Sequence, residues 1–410
     1  MNFKIDIENM KFENNSLTFD MKGERTLGLD KSIVNSLRRV LLSGIPSVAF
    51  RTEIKDSDLI VVKNDTSLHN EFLIHRISLV PLYFNPDEFS KQFLFYLKVE
   101  ADPETPIKTI YANDFNIYPL NEHIDSNGLK EIKLENYDLT KPLNDKEKEK
   151  IFKPFNFKGK NEYCMITELK SMNSTNIKQS LELYGSPSVS YAYEDSRWCS
   201  VSCAAYSFKK DEELFKQILN EKKLVNDVPK EKEKQYEKEL FISEAERYFH
   251  RDMNIEPYWY EFKIDSVHFM NSKELFIRAN QIMIDHFEIL KKEIPKISTG
   301  EDSILELKTN KDNVYHLVIQ GVDDTIGNTI QSFITRYMID DESVFSVCGY
   351  KRTHPLEEVI IIYLSLNPRN KVFKSNETQK TFVIINTLRE VCDHLTNIYS
   401  LIKTEAEQEL

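Results

Sequence analysis

Glycine is scarce in this chain, with ten among 410 residues, against a usual share of about 7%. None of the ten builds a GxGxxG run. Gly23 and Gly28 have P-loop spacing, but Leu29 and Asp30 stand where Lys-Ser/Thr would hold phosphate and magnesium, so nucleotide binding by these motifs is excluded. There is no HExxH, no paired CxxC and no GxSxG elbow; Cys199 and Cys203 form a lone CxxxC that leaves zinc under-coordinated. The five cysteines are odd in number and scattered, which fits free thiols in a reducing compartment. No apolar run is long enough to span a bilayer, and the first residues alternate apolar and polar instead of forming a signal-peptide block. The expectation is an intracellular protein. A formal charge of −12 argues against tight autonomous binding to a phosphate backbone, leaving room only for local basic patches.

What the chain does have is a repeat. Asp30, Ser32, Ile33, Asn35, Ser36, Leu37 and Leu41 recur in register, nearly three hundred residues later, at Asp323, Thr325, Ile326, Asn328, Thr329, Ile330 and Ile334. Helix periodicity demands the apolar matches; it does not demand those at Asp, Ser/Thr and Asn. Two related half-domains in one polypeptide follow.

Around each copy the pattern is α+β. Phe3, Ile5 and Ile7 alternate with Lys4, Asp6 and Glu8 as a half-buried strand, and a second strand runs through Leu17, Phe19 and Met21. A helix from about Lys31 to Leu42 follows, with Asp30 as N-cap and Ser43-Gly44 and Pro46 as its stop. From Thr52 to Phe208 short alternating segments predict a mostly β insertion. Residues 209–250 are dominated by Lys and Glu and read as a pair of solvated helices or an arm. A strand at Tyr258–Phe269 precedes a helix opened by Asn271 to Glu274, in the form of a capping box. Pro295 to Ser303 reads as a boundary. Beyond it come a strand at Tyr315–Val322, the repeated helix from Thr325, strands near Val344–Tyr350 and Val359–Leu366, and a long last helix. In that helix Ile385, Leu388, Cys392, Leu395, Tyr399 and Ile402 fall at spacings of three and four, a seam for lengthwise packing on another helix.

Candidate chemistry is thin. Asp323 and Asp324 read as a cap and a dipole partner rather than a cation pair, and His75 and His354 sit beside apolar residues. No catalytic constellation emerges, so an enzyme with an unrecognised site is the weakest of three competing classes. The second is an adaptor using the same fold.

The first class rests on a resemblance. Asn35 to Ala49 (NSLRRVLLSGIPSVA) and Asn70 to Leu82 (NEFLIHRISLVPL) are similar to the larger alpha-like subunit of archaeal and eukaryotic DNA-directed RNA polymerases. Asp323 to Ile330 and Val347 to Leu356 resemble the smaller alpha-like subunit. The two appear fused, an arrangement similar to that in polymerases of large cytoplasmic DNA viruses. The resemblance implies an α+β fold with two alpha-subunit-type dimerisation domains forming an intramolecular pseudo-dimer. The first would comprise 1–51 plus 252–296, interrupted by a β-rich insert at 52–208 and a charged helical arm at 209–251; the second would be 304–410.

By the same resemblance the function is that of a non-catalytic assembly platform in a nucleotidyltransferase complex. Its partners would be the largest and second-largest polymerase subunits and small polymerase subunits, with no sequence-specific DNA contact and no membrane. Asn35, Arg38 and Arg39, with His75 and Arg76, are the candidate large-subunit contacts. Ile33, Leu37, Leu41, Ile326, Ile330, Ile334, Leu388 and Leu395 are the candidate pseudo-dimer interface. No cofactor and no metal are expected, since the cysteine-rich loop of some family members is missing. The place of action would be a cytoplasmic viral transcription site and virion, or otherwise the nucleus. Fusion would give the halves an effective concentration of order millimolar through the link near Gly300.

Overall fold

A computed structural model of the chain describes residues 3–13, 15–23, 29–53, 56–102, 104–121, 132–171, 178–253, 255–267, 269–299, 301–309 and 313–409. Gly28 and Gly300, singled out above, lie outside the described residues.

The alternating N-terminal segment forms β1 (Ile5–Glu13), which turns back as β2 (Ser16–Gly23). After α1 (Lys31–Ser43) the chain returns to this sheet with β3 (Val201–Phe208) and β4 (Trp259–Ser266), giving the strand order β1-β2-β4-β3. Its inner face pairs Phe19 with Phe262, Met21 with Tyr260 and Leu17 with Ile264, all buried. Phe276 of α4 (Ser272–Glu293) meets Phe19 edge-on at 4.8 Å, so the helix closes this core. The intervening α2 (Glu212–Val225) and α3 (Glu233–Glu244) make up the charged arm. It enters and leaves at the base of β3 and β4, where Lys209 N–H donates to Trp259 O at 2.9 Å and His250 N–H to Lys209 O at 3.0 Å.

The second half repeats the plan. β5 (Leu305–Thr309), β6 (Val314–Gln320), α5 (Asp324–Tyr337), β7 (Phe345–Arg352), β8 (Val359–Leu366) and α6 (Glu377–Gln408) follow one another, and the strand order is β5-β6-β8-β7. Both halves are thus ββαββα units with the same sheet order. Two differences from the sequence reading concern strands. Val201–Phe208, assigned above to the β-rich insertion, is the third strand of the first sheet, and Leu305–Thr309 is a strand that the reading did not pick out.

The α6 seam packs antiparallel on α4. Lys403 Nζ donates to Gln281 Oε1 at 2.9 Å, Phe287 stacks on Tyr399 at 5.9 Å, and Lys291 pairs with Asp393. Burial of Cys348 and Cys392 pushes both thiols up to about 12, so they act as small packing groups. On the outer faces the halves diverge. The first sheet carries a cleft of about 460 Å³ whose lining includes the charged residues Lys11, Asp20, Lys209, Glu261 and Lys263. The second presents Val318, Ile361, and His316 against Tyr363.

By contacts the chain divides into a unit of Met1–Leu41, Cys203–Asp265 and Ser272–Leu410, and a unit of Leu42–Ser202 and Ser266–Asn271. The latter is built on an antiparallel sheet of Leu59–Asn64, Ser180–Gly185, Phe93–Glu100 and Asn116–Pro119, in that order. The helix Asn70–Ser78 buries Leu73 and Ile77 in its core. Gly185 is required there, because a Cβ would fall 2.1 Å from Asp58 O. Among the described residues no helix is long and apolar enough to cross a membrane, and no cluster of three or more His, Cys, Asp or Glu could hold a metal ion.

Candidate assembly interface

The matched aspartates of the repeat each reach across to the other helix. Asp30 opens α1: its Oδ1 accepts the Ser32 N–H at 3.2 Å, and its Oδ2 accepts the Ser32 hydroxyl. Asp323 opens α5 in the same way, with Oδ1 taking the Thr325 N–H at 2.9 Å and Oδ2 the Thr325 hydroxyl at 2.8 Å. Each capping carboxylate then accepts from the other helix. Ser332 Oγ of α5 donates to Asp30 Oδ2, and Arg39 Nη2 of α1 donates to Asp323 Oδ2 at 2.9 Å, with Arg39 Nε on Thr325 Oγ1 at 2.8 Å. Arg39 and Ser332 each lie nine residues beyond the cap of their own helix. The contact is therefore reciprocal, as at an isologous interface, where residue i meets j and j meets i.

Between the helices lies a polar cavity of about 90 Å³ lined by Ser32, Asn35, Ser36, Arg39, Asp324, Thr325, Asn328 and Tyr350. The crossing of α1 and α5 is thus polar, while their apolar stripes turn elsewhere. Ile33, Leu37, Leu41, Ile326, Ile330, Ile334, Leu388 and Leu395 are all buried. Ile330 lines a small apolar void with Leu290 and Ile294 from the α4 side, Leu317 and Ile319 of β6, and Leu388 of α6. Ser36 Oγ and Tyr399 OH, 2.6 Å apart, join α1 to α6, and Phe3 packs on Phe333, Tyr337 and His394.

Electrostatics separates the two ends of this contact. Burial would raise the Asp323 carboxyl, but the hydrogen bonds from Arg39 and Thr325 outweigh it and hold the group below the usual carboxylate range. Asp30 is more deeply enclosed, at 3% exposure, and its side-chain partners are hydroxyls.

The remaining sequence candidates are divided between the two units. Arg38 is half-buried and donates from Nε to Asn35 Oδ1 at 2.9 Å; among the described residues it has no carboxylate partner. Arg39, by contrast, is engaged with Asp323. His75 and Arg76 are exposed on the helix Asn70–Ser78 of the other unit, where Arg76 Nη2 donates to Met165 O at 3.3 Å. Sequence reasoning did not single out Thr325 and Ser332 as interface residues. Thr325 had a signal in the repeat itself, because its match with Ser32 is a polar one that periodicity does not require; Ser332, which stands where the first copy has Arg39, had none. It also passed over Trp198, which is fully buried with the guanidiniums of Arg51 and Arg197 at 5.0 and 5.3 Å from its ring centre.

Two ββαββα repeats are thus joined through their helices. The chain matches the RNA polymerase Rpb3/Rpb11 dimerisation domain over residues 18–287, and it belongs to that family. It is 36% identical over 111 residues to DNA-directed RNA polymerases I and III subunit RPAC1 of Homo sapiens, covering 27% of this chain and 26% of that protein. It is 30% identical over 115 residues to the corresponding rpac1 of Dictyostelium discoideum, covering 25% and 30%. To DNA-directed RNA polymerase subunit Rpo3 of Pyrobaculum neutrophilum it is 34% identical over 103 residues, covering 21% and 35%. The aligned stretches span 26 to 35% of these relatives' own lengths. The chain is thus homologous to alpha-like subunits of DNA-directed RNA polymerases, and the match stops before the second repeat begins.

Proposed function

We propose that this chain is a non-catalytic assembly platform of a DNA-directed RNA polymerase, in which the larger and smaller alpha-like partners are fused. Its two halves pair within one polypeptide as a pseudo-dimer and recruit the large catalytic subunits. The observation that carries the reading is the reciprocal contact of Asp30 with Ser332 and of Asp323 with Arg39, between two halves of identical strand order. Family membership gives the first half its kind, and the repeat extends that kind to the second.

Within this reading the two arginines divide the work. Arg39 holds the halves together, and Arg38, with Asn35 beside it, meets a carboxylate or backbone carbonyls of the second-largest subunit. His75 and Arg76 offer a second exposed contact. Fusion as in large cytoplasmic DNA viruses would place the protein at a cytoplasmic viral transcription site and in the virion; a cellular source would place it in the nucleus. The test is mass spectrometry of proteins recovered with the tagged chain after a salt wash. The two largest polymerase subunits in near-equal amounts are expected, and Arg38→Glu should lose them while the isolated chain stays folded. Recovery of unrelated partners alone would transfer the chain to the adaptor class.

A further inference from the structure

A short hairpin stands apart from the sheets of the smaller unit. Phe155–Phe157 pairs antiparallel with Lys160–Glu162. The two residues between them, Lys158 and Gly159, have φ of 50° and 80°, the two positive values that a type I′ turn needs. Asn156 Oδ1 accepts the Gly159 N–H at 3.1 Å and fixes the turn. Phe155 and Phe157, alternate residues of one strand and so on one face, are each 56% exposed. Lys153 precedes them, its Nζ 4.4 Å from the Tyr83 ring centre; Lys158 lies 5.2 Å from the Phe157 ring centre, and Lys160 is the cross-strand partner of Phe157. Among the described residues none of these three lysines has an ion-pair partner; the acidic residue of the hairpin, Glu162, is the cross-strand partner of Phe155, at the end away from the turn.

We infer that this hairpin binds single-stranded nucleic acid, stacking bases on Phe155 and Phe157 and meeting phosphates with Lys153, Lys158 and Lys160. Alternate residues on a strand are about 6.6 Å apart, close to twice the ~3.4 Å rise of stacked nucleotides, so one base fits between the rings or one on each. A single strand offers both a ring face and an anion at every residue, which is what alternating phenylalanines flanked by unpaired lysines complement. An apolar protein groove would take the rings but leave the lysines to be matched separately. Stacking is tolerant of sequence, so the local patch adds non-specific contact without conflicting with the acidic charge of the whole chain.

Fluorescence anisotropy of the full chain with a short fluorescein-labelled oligouridylate tests this. Binding that weakens with added salt is expected. Phe155→Ala with Phe157→Ala should weaken it about tenfold or more, and Lys158→Gln with Lys160→Gln should reduce the salt slope by about 1.4. All four side chains are exposed, so thermal midpoints should stay put; if the phenylalanine variant loses its fold, the lysine variant still decides. Absence of binding at low salt, or binding indifferent to both variants, would overturn the inference. So would loss of a protein partner from the recovered complex with no effect on the oligonucleotide.

Discussion

The two ends of the interhelix contact occupy the same place in the repeat and are built differently. At one end a deeply buried aspartate meets the hydroxyls of Ser32 and Ser332; at the other a half-exposed aspartate meets a guanidinium. A buried carboxylate is well served by short neutral donors that fill space without adding a charge, whereas arginine needs water within reach of its remaining donors. The pairing geometry is therefore shared, and the chemistry at each end follows local burial.

The comparison can be broken most severely at its buried end. Asp30→Ala removes the cap of α1 and leaves the buried Ser32 hydroxyl and the half-buried Ser332 hydroxyl without this acceptor, an expected loss of about 3 kcal/mol, readable as a lower midpoint in urea. Next comes Gly327, which stands where the first repeat has Val34. A Cβ on Gly327 would lie 2.8 Å from Ile360 Cγ2 and 3.0 Å from Tyr350 Cδ2, so Gly327→Val should cost about 2 kcal/mol by overpacking. Val34, fully buried, shows that the first half has room for that side chain.

Arg39→Ala at the exposed end should cost only about 1 kcal/mol after solvent screening, and a double-mutant cycle with Asp323→Ala should recover a coupling of similar size. The smallest effect is one of pH. The Asp323 carboxyl is depressed in the folded state, so its contribution is present above the ordinary carboxylate range and fades as pH falls through the folded value. The difference between wild type and Arg39→Ala, followed by thermal unfolding, should accordingly shrink below about pH 4.

Much of this plan was legible from the residues. Alternation at Phe3, Ile5 and Ile7, the cap at Asp30 and the seam from Ile385 to Ile402 each encode a local preference that the packing then satisfies. β3 escaped because it lies more than 150 residues beyond α1 in the chain and is written in small residues, Ser202, Cys203, Ala204 and Ala205, whose alternation is faint. β5 escaped because Leu305 and Leu307 stand among charges at a sheet edge. The resemblance implied a pseudo-dimer interface of Ile and Leu; those residues are buried, and the polar links between α1 and α5 are made by Asp, Ser, Thr and Arg. Periodicity tells which face is apolar, but only three-dimensional placement tells which face meets the other helix.

Splitting the chain at Gly300 and co-expressing residues 1–299 and 301–410 as separate polypeptides tests the paired-halves account most directly. Co-purification as a one-to-one complex, weakened by Arg39→Glu, is the predicted result. Two folded pieces that elute apart would contradict it.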